Sequence, residues 1–398
     1  MSKLSEMIAT LCPNGVEYKK LGEVARIRNG RDYKHLGKGD IPVYGSGGIM
    51  TFVDAFAFDG ESVLIPRKGS LDKLYYTEGK IWTVDTIFYT EINRDLIKPK
   101  FLYYYLQTQH IEKLNTAGGV PSLTQAVLSK ISIPLPPLPI QREIVQILDN
   151  FANLTAELTA ELTAELAKRK KQYEHYRDML LNFTGGGRYD KFGDENGSPH
   201  IEWKRLGEVA EIMRGGNLQK KDFVESGCPC IHYGQIYTRF GIYADKPLTY
   251  ISSESVAKQK FARPGDIVMA VTSENVDDVC KCLAWIGEEP VAVSGHTAII
   301  RHNQNPKYLA YYFHTSAFDV QKRRLAHGTK VIEVTPDRLA DIKIPLPPLK
   351  EQNRIVAILD RFDSLCNSLT EGLPAEIALR KKQYEYYRDK LLSFKEAS

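Results

Sequence analysis

The chain has 398 residues, with 53 Lys and Arg against 49 Asp and Glu, a formal charge of +4, and six Cys. That length allows two or three domains with sizeable cores. The mild basicity permits nucleic-acid binding through local patches and excludes a polycation. Six Cys in so long a chain fit a reducing compartment and not a disulfide scaffold. With neither a run of 18 apolar residues nor a charged-then-apolar leader, a cytoplasmic protein with no membrane partner is expected.

In chain order, VEYKKLGEVARI (16–27) precedes a block, roughly 28–98, of short β-branched and aromatic runs bounded by Gly, Pro and Asp. IPVYGSGGIM, ESVLIPRKGS and KIWTVDTIFYTEI read as strands with turns. FLYYYLQTQHIEKL reads as a helix with an aromatic face, and the prolines of IPLPPL (133–138) fix an extended lead into a long uninterrupted segment. That segment is Ile140 to Phe183, without Gly or Pro, whose apolar residues Ile144, Ile147, Leu148, Phe151, Leu154 and Leu158 keep helical spacing. At 1.5 Å per residue such a helix is roughly 66 Å long and needs a partner to bury its stripe. Within it, TAEL is written three times from Thr155 to Leu166. GGGRYDKFGDENGSP (185–199) reads as a flexible linker.

The rest repeats this plan. Residues 344–394 match 133–183 without a gap, with 32 identities over 51 positions, and IEWKRLGEVAEI (201–212) matches 16–27 at eight of twelve. PKYLAYYFHTS (306–316) matches PKFLYYYLQTQ (99–109). Between these similar pieces lie dissimilar blocks, 28–98 and 213–305, the second about 22 residues longer; PCIHYGQIYT, GDIVMAVTS and EEPVAVSGHTAIIRH again read as strands. A break is expected in the second long helix at Gly372-Leu373-Pro374. The expected fold is α+β: two mixed α/β domains (1–139 and, with the linker, 185–350), separated by two long antiparallel coiled-coil helices (140–184 and 351–398) in a pseudo-two-fold internal repeat.

No catalytic motif is found: no GxxxxGK[ST], HExxH, CxxC or (D/N)PP(Y/F). Cys228-x-Cys230-x-His232 with Cys280-x-Cys282 offers thiols and an imidazole, but at a spacing unlike the usual zinc pattern and without a counterpart in the other copy. Buried free thiols are expected, with no metal, no cofactor bound by this chain and no catalytic residue.

LTAELTAELTAEL (154–166), IPLPPL at 133 and 344, RKKQYEHYRD and RKKQYEYYRD, and PCIHYGQIYT (229–238) together make the chain resemble, over essentially its whole length, the specificity subunit of type I restriction-modification systems, closely the IC class with its TAEL spacer. The resemblance implies a non-catalytic bacterial subunit with two target-recognition domains, each reading one half of a bipartite asymmetric site in double-stranded DNA. It implies two partner modification subunits that methylate adenine with S-adenosylmethionine, and two partner restriction/translocase subunits that use ATP and Mg. In the family the TAEL count sets the gap between half-sites; four residues add about 6 Å and about 40° of helix, close to the roughly 36° turn of one DNA base pair, so three copies predict a gap of about seven base pairs.

The DNA-binding residues nominated in the first block are Arg31, Lys34, His35, Lys38, Tyr44, Ser46, Arg67, Lys68 and Lys73, with Arg67 or Lys68 suited to guanine and the lysines to phosphates. In the second they are Arg214, Asn217, Lys220, Lys221, Tyr233, Gln235, Tyr237, Arg239, Ser273 and Glu274, with Gln235 suited to adenine and Glu274 to cytosine. His232 and His296, in apolar contexts, are expected in the core, as are Tyr103, Tyr104, Tyr311 and Tyr312. Lys168-Arg169-Lys170-Lys171 and Arg380-Lys381-Lys382 read as solvated helix faces or phosphate contacts; Tyr173, Tyr176, Tyr384, Tyr386 and Tyr387 read as a partner-docking surface. Two other readings stay open: an enzyme with its site in the dissimilar blocks, and a structural clamp between protein partners without base readout.

Overall fold

A computed structural model describes residues 3–115, 121–183, 201–367 and 372–397; the linker expected at 185–199 lies outside them. The chain divides into two compact units, Met1–Glu161 with Ile377–Ser398, and Leu162–Glu376.

The first unit contains β1 (Glu17–Lys20), β2 (Ala25–Asn29), β3 (Ile41–Gly45), β4 (Gly48–Val53), β5 (Phe58–Asp59), β6 (Ser62–Pro66), β7 (Tyr75–Thr77), β8 (Lys80–Thr83), β9 (Ile87–Ile92) and β10 (Ser132–Leu135). They form two four-stranded sheets, β2-β9-β6-β7 and β4-β3-β8-β5, and the pair β1-β10. The second unit contains β11 (Glu202–Arg205), β12 (Ala210–Arg214), β13 (Phe223–Val224), β14 (Cys228–Ile231), β15 (Tyr243–Ala244), β16 (Thr249–Ile251), β17 (Lys260–Ala262), β18 (Ile267–Ala270), β19 (Thr272–Ser273), β20 (Cys282–Trp285), β21 (Val291–Val293), β22 (Thr297–His302), β23 (Ile332–Glu333) and β24 (Lys343–Leu346). Its sheets are β12-β22-β18-β20-β15, β13-β16-β14-β21-β17, β19-β23 and β11-β24. Two runs read as strands are divided: KIWTVDTIFYTEI changes sheet at 84–86, and PCIHYGQIYT is β14 followed by the helix Tyr233–Thr238. That helix is N-capped by His232, whose Nδ1 accepts the Gly234 N–H (3.2 Å).

The blocks that differ in sequence share one backbone skeleton. The parallel pair β3–β8 corresponds to β14–β21, and β2–β9–β6 to β12–β22–β18. Four hydrogen bonds around one turn correspond in pairs. Arg31 N–H donates to the Thr83 carbonyl (2.7 Å) and Gly216 N–H to Val293 (2.8 Å). Val84 N–H donates to Tyr44 (2.9 Å) and Ser294 N–H to Ile231 (3.3 Å). Arg67 N–H donates to Thr86 (2.8 Å) and Val271 N–H to His296 (2.9 Å). Leu123 N–H closes on Arg67 (2.8 Å) and Val334 N–H on Val271 (3.0 Å). The turns 84–86 and 294–296 therefore stand at the same place in their units. Gly30 and Gly215 run against these turns so closely that a Cβ would lie 2.0 Å from the Val84 oxygen and 2.2 Å from the Ser294 oxygen.

The framework repeats as strictly. The long helix runs Leu138–Leu181, with Pro139 in its first turn, where a missing N–H costs nothing. The second helical stretch is two helices, Leu349–Asn367 and Leu373–Leu391; Gly372 takes φ +81°, and Pro374 lies in the first turn of the second helix. Each unit pairs its part of the long helix with one of these, antiparallel. In the first, Phe151 packs on Tyr384 and Tyr387 (5.7 Å each) while Ile144 and Leu148 share a core with Leu392. In the second, Tyr176 stacks on Phe362 (5.5 Å) and Tyr173 shares a core with Cys366.

A buried amide ties each globular body to its helix. Gln141 accepts from Lys98 N–H (2.8 Å) and donates to the carbonyls of Leu96 (3.0 Å) and Pro136 (2.8 Å). Gln352 accepts from Asn305 N–H (3.0 Å) and donates to the Pro347 carbonyl and the Gln304 side chain (2.8 Å each). Farther along, Asp149 accepts from Lys100 (2.9 Å) and the Tyr104 hydroxyl (2.6 Å), and Asp360 from Lys307 (2.9 Å) and the Tyr311 hydroxyl (2.8 Å). Tyr105 and Tyr312 donate to the carbonyls of Ser132 (3.0 Å) and Lys343 (3.1 Å); burial pushes both phenols up to about 12. Tyr104, Tyr311 and Tyr312 are core residues as expected, whereas Tyr103 is half-buried.

Gln141→Leu leaves one backbone N–H and two carbonyls unpaired in the interior; a loss of about 2–4 kcal/mol is expected, read as a fall in the urea midpoint. Gly30→Ala and Gly215→Ala should each cost about 2 kcal/mol or more through backbone displacement. A midpoint equal to wild type for either glycine variant would contradict the close approach.

Candidate nucleic-acid interface

In the first unit three loops meet at the 84–86 turn. Ser46 N–H donates to the Thr86 hydroxyl (3.3 Å), the Tyr75 hydroxyl to the Ser46 carbonyl (3.2 Å), and Lys68 N–H to the Thr86 carbonyl (3.2 Å). Arg31 joins them through its backbone, its carbonyl accepting from the Trp82 indole (3.1 Å). Of the nominated residues, Arg31, Tyr44, Ser46, Arg67 and Lys68 are thus brought together. The Arg67 guanidinium lies over Phe88 (5.8 Å), and Lys68 is 3.7 Å from Asp85, an exposed pair of little energetic weight. His35 stands edge-on to Trp82 (5.9 Å). Lys34 and Lys73 are exposed, and their side chains make no hydrogen bond or ion pair with a described residue. Lys38 is not part of the cluster: its neighbours Gly37 and Gly39 pack on Val53 and Asp54, at the end of the β3–β4 hairpin opposite Ser46. Tyr75 and Asp85 were missed; neither stands out locally in the sequence, and only the meeting of loops selects them.

The second unit builds its counterpart around 294–296. Tyr233 N–H donates to the Ser294 hydroxyl (3.0 Å), and the Tyr237 hydroxyl to the Thr272 carbonyl (2.6 Å), beside Ser273. Arg214 donates to the Gly295 carbonyl (2.8 Å) and pairs with Glu333 (2.9 Å), so its charge is largely committed. Gln235 is committed too: its carbonyl oxygen accepts from His232 N–H (3.0 Å) and its amide donates to Thr249 (3.3 Å), bonds that a bidentate contact with adenine would have to break. Asn217, Lys220, Lys221, Arg239 and Glu274 are exposed, without a hydrogen bond or ion pair from their side chains to a described residue. His232 is buried as expected; burial, then Lys220, holds its pKa below the ordinary imidazole value. His296 departs from expectation. Although apolar residues flank it, the chain turns there between two sheets and leaves the ring exposed at the centre of the cluster.

Other nominated chemistry is dispersed. Cys228 and Cys230 lie on β14, whereas Cys282 lies on β20 in the other sheet, and no group of three or more His, Cys, Asp or Glu able to hold a metal occurs among the described residues. Burial pushes the Cys280 thiol up to about 12. Lys168 to Lys171 are exposed, Arg169 pairing with Glu165 (2.7 Å). The expected tyrosine docking surface is mostly internal: Tyr173 is buried, Tyr176 and Tyr384 pack in the helix pairs, and only Tyr386 and Tyr387 are exposed (62% and 42%). No helix among the described residues is long and apolar enough to cross a membrane.

Comparison with known proteins agrees with this architecture. The family model for the type I restriction modification DNA specificity domain matches twice, at 13–168 and 200–379. The chain is 36% identical over 317 residues to the EcoR124I/EcoR124II specificity subunit of Escherichia coli, covering 76% of this chain and 72% of that one. It is 35% identical over 396 residues to a Haemophilus influenzae protein assigned as a type I restriction enzyme specificity subunit, covering 95% and 96%. Among solved structures, a chain from a type I restriction-modification system studied for complex assembly and conformational transition aligns with a TM-score of 0.67 at 21% identity, over 96% of this chain and 98% of that one. The HsdS subunit of Thermoanaerobacter tengcongensis aligns at 0.51 and 20%, over 96% and 97%; at such identities these two likenesses bear on the fold alone. With the family model spanning well over half of its length, the chain belongs to the type I restriction-modification specificity subunits, the non-catalytic members of these systems.

Proposed function

We propose that each unit reads one half of a bipartite, asymmetric DNA site through the loops gathered at its 84–86 or 294–296 turn. One observation carries this: two backbones that share four corresponding hydrogen bonds around one turn present different side chains at the same place, which is what reading two different half-sites requires. In the first unit Arg31, Tyr44, Ser46, Arg67 and Lys68 are the leading base or phosphate contacts, with Lys34, His35 and Lys73 flanking; Lys38 serves a phosphate at most. In the second, Tyr233, Tyr237 and Ser273 lie at the centre, and Asn217, Lys220, Lys221, Arg239 and Glu274 around them.

Residues 1–139 and 185–350 are then the recognition domains, and 140–184 and 351–398 the spacer helices. The TAEL tract sets the gap: one repeat rotates a helix by about 40°, near the roughly 36° per base pair of B-DNA, and three repeats correspond to a gap of about seven base pairs. The unit boundary between Glu161 and Leu162 falls inside this tract, which fits a spacer. TAEL also favours the IC class. The helices dock two modification subunits, which bind S-adenosylmethionine, and two restriction subunits, which use ATP and Mg; exposed Tyr386 and Tyr387 are the tyrosines left for that contact.

Co-expression with the cognate modification subunit and mapping of N6-methyladenine tests the scheme. A single split motif is expected, and deleting one TAEL should shorten its gap by one pair with both half-sites unchanged. A gap indifferent to TAEL number would defeat the ruler, and methylation that persists without this chain would defeat the specificity role.

A further inference from the structure

A side chain that discriminates bases must be accessible and also held in one orientation before DNA arrives. In the second unit most of the nominated polar residues meet only one of these requirements. Arg214, Gln235 and Tyr237 are held, but by bonds that occupy their polar atoms. Lys220, Lys221, Arg239 and Glu274 are accessible, but no described residue holds their side chains by a hydrogen bond or ion pair.

His296 meets both. Its ring is exposed on the 294–296 turn. Nδ1 shares a hydrogen bond with the Thr272 hydroxyl (2.9 Å), and one face packs on Tyr233 (4.8 Å between centroids). Tyr233 is held in turn by His232 (4.5 Å), and His232 by Phe223 (5.9 Å), so an aromatic row running in from the buried side braces the imidazole. Nε2 makes no hydrogen bond with a described residue. When the Thr272 hydroxyl donates to Nδ1, the ring proton lies on Nε2 and the free edge is a donor. In the first unit the same position is Thr86, whose hydroxyl is already engaged by Ser46 N–H.

From this geometry we infer that His296 is a specificity-determining residue of the second recognition domain. Its Nε2–H donates to an acceptor on a base edge in the major groove: purine N7, guanine O6 or thymine O4. Thr272 and Tyr233 are its positioning residues. The inference rests on the half-site reading proposed above.

Asparagine and glutamine separate the roles of the two ring nitrogens. An Asn amide reaches about as far as Nδ1 and can keep the Thr272 contact; a Gln amide reaches about as far as Nε2. Methylation would be mapped with the full modification complex carrying wild-type chain, H296A, H296N or H296Q, with melting curves to verify folding, which truncation of an exposed ring should spare. H296A and H296N are expected to lose about tenfold or more of the preference at one position of one half-site, which is the loss of about 1.4 kcal/mol. The other half-site and the gap should stay unchanged, and H296Q should retain more of the preference. If folded H296N methylates the wild-type motif with wild-type preference, the imidazole only braces the loop and the inference fails. If the wild-type motif is not split, the half-site reading itself fails, a result distinct from any change among the variants.

Discussion

Everything in either unit depends on a buried amide at the start of a helix. Gln141 and Gln352 each satisfy backbone groups of the chain leaving a strand and of the chain entering the helix. A carboxylate farther along the same helix, Asp149 or Asp360, then holds the globular body against it through a lysine and a tyrosine. Unpaired interior amides and carbonyls are costly, so these bonds set both the angle at which the chain turns and the distance between body and helix.

Within each body the turn that crosses between the sheets plays the corresponding part for the loops. Its bonds to Arg31, Tyr44 and Arg67, or to Gly216, Ile231 and Val271, run from backbone to backbone, with no side chain taking part. Side chains add to these bonds differently in the two units, through the Thr86 hydroxyl to Ser46 in one and the Ser294 hydroxyl to Tyr233 in the other. Gly30 and Gly215 lie where no Cβ fits.

The spacer helix shows the opposite economy. Between Leu148 and Tyr173 none of its residues is buried, and Leu154 is 63% exposed. Its order there comes from its own backbone hydrogen bonds, its helix-favouring composition and partial packing such as that of Phe151 on Tyr384 and Tyr387.

The sequence by itself determined the repeated framework, the long helix, the break at Gly372 and the family, because duplication, helical periodicity and punctuation by Gly and Pro are local patterns that survive in one dimension. The ends of the long helix were legible to within two residues, whereas FLYYYLQTQHIEKL is a helix only to Thr108 and the C-terminal helix ends at Leu391. The correspondence of the dissimilar blocks was not: the offset between equivalent residues drifts from 185 at Arg31 and Gly216 to 187 at Tyr44 and Ile231, 204 at Arg67 and Val271, and 210 at Thr86 and His296. Backbone pairing preserves such a skeleton without preserving residues, so only the tertiary structure aligns it. The same holds for side chains. Gln235 and Arg214 have the right chemistry for bases and spend it internally, Lys38 lies by the end of the hairpin opposite Ser46, and His296 stands in an apolar stretch yet faces outward. Residue type announces what a group can donate or accept; whether it is free to do so is decided by what folds against it.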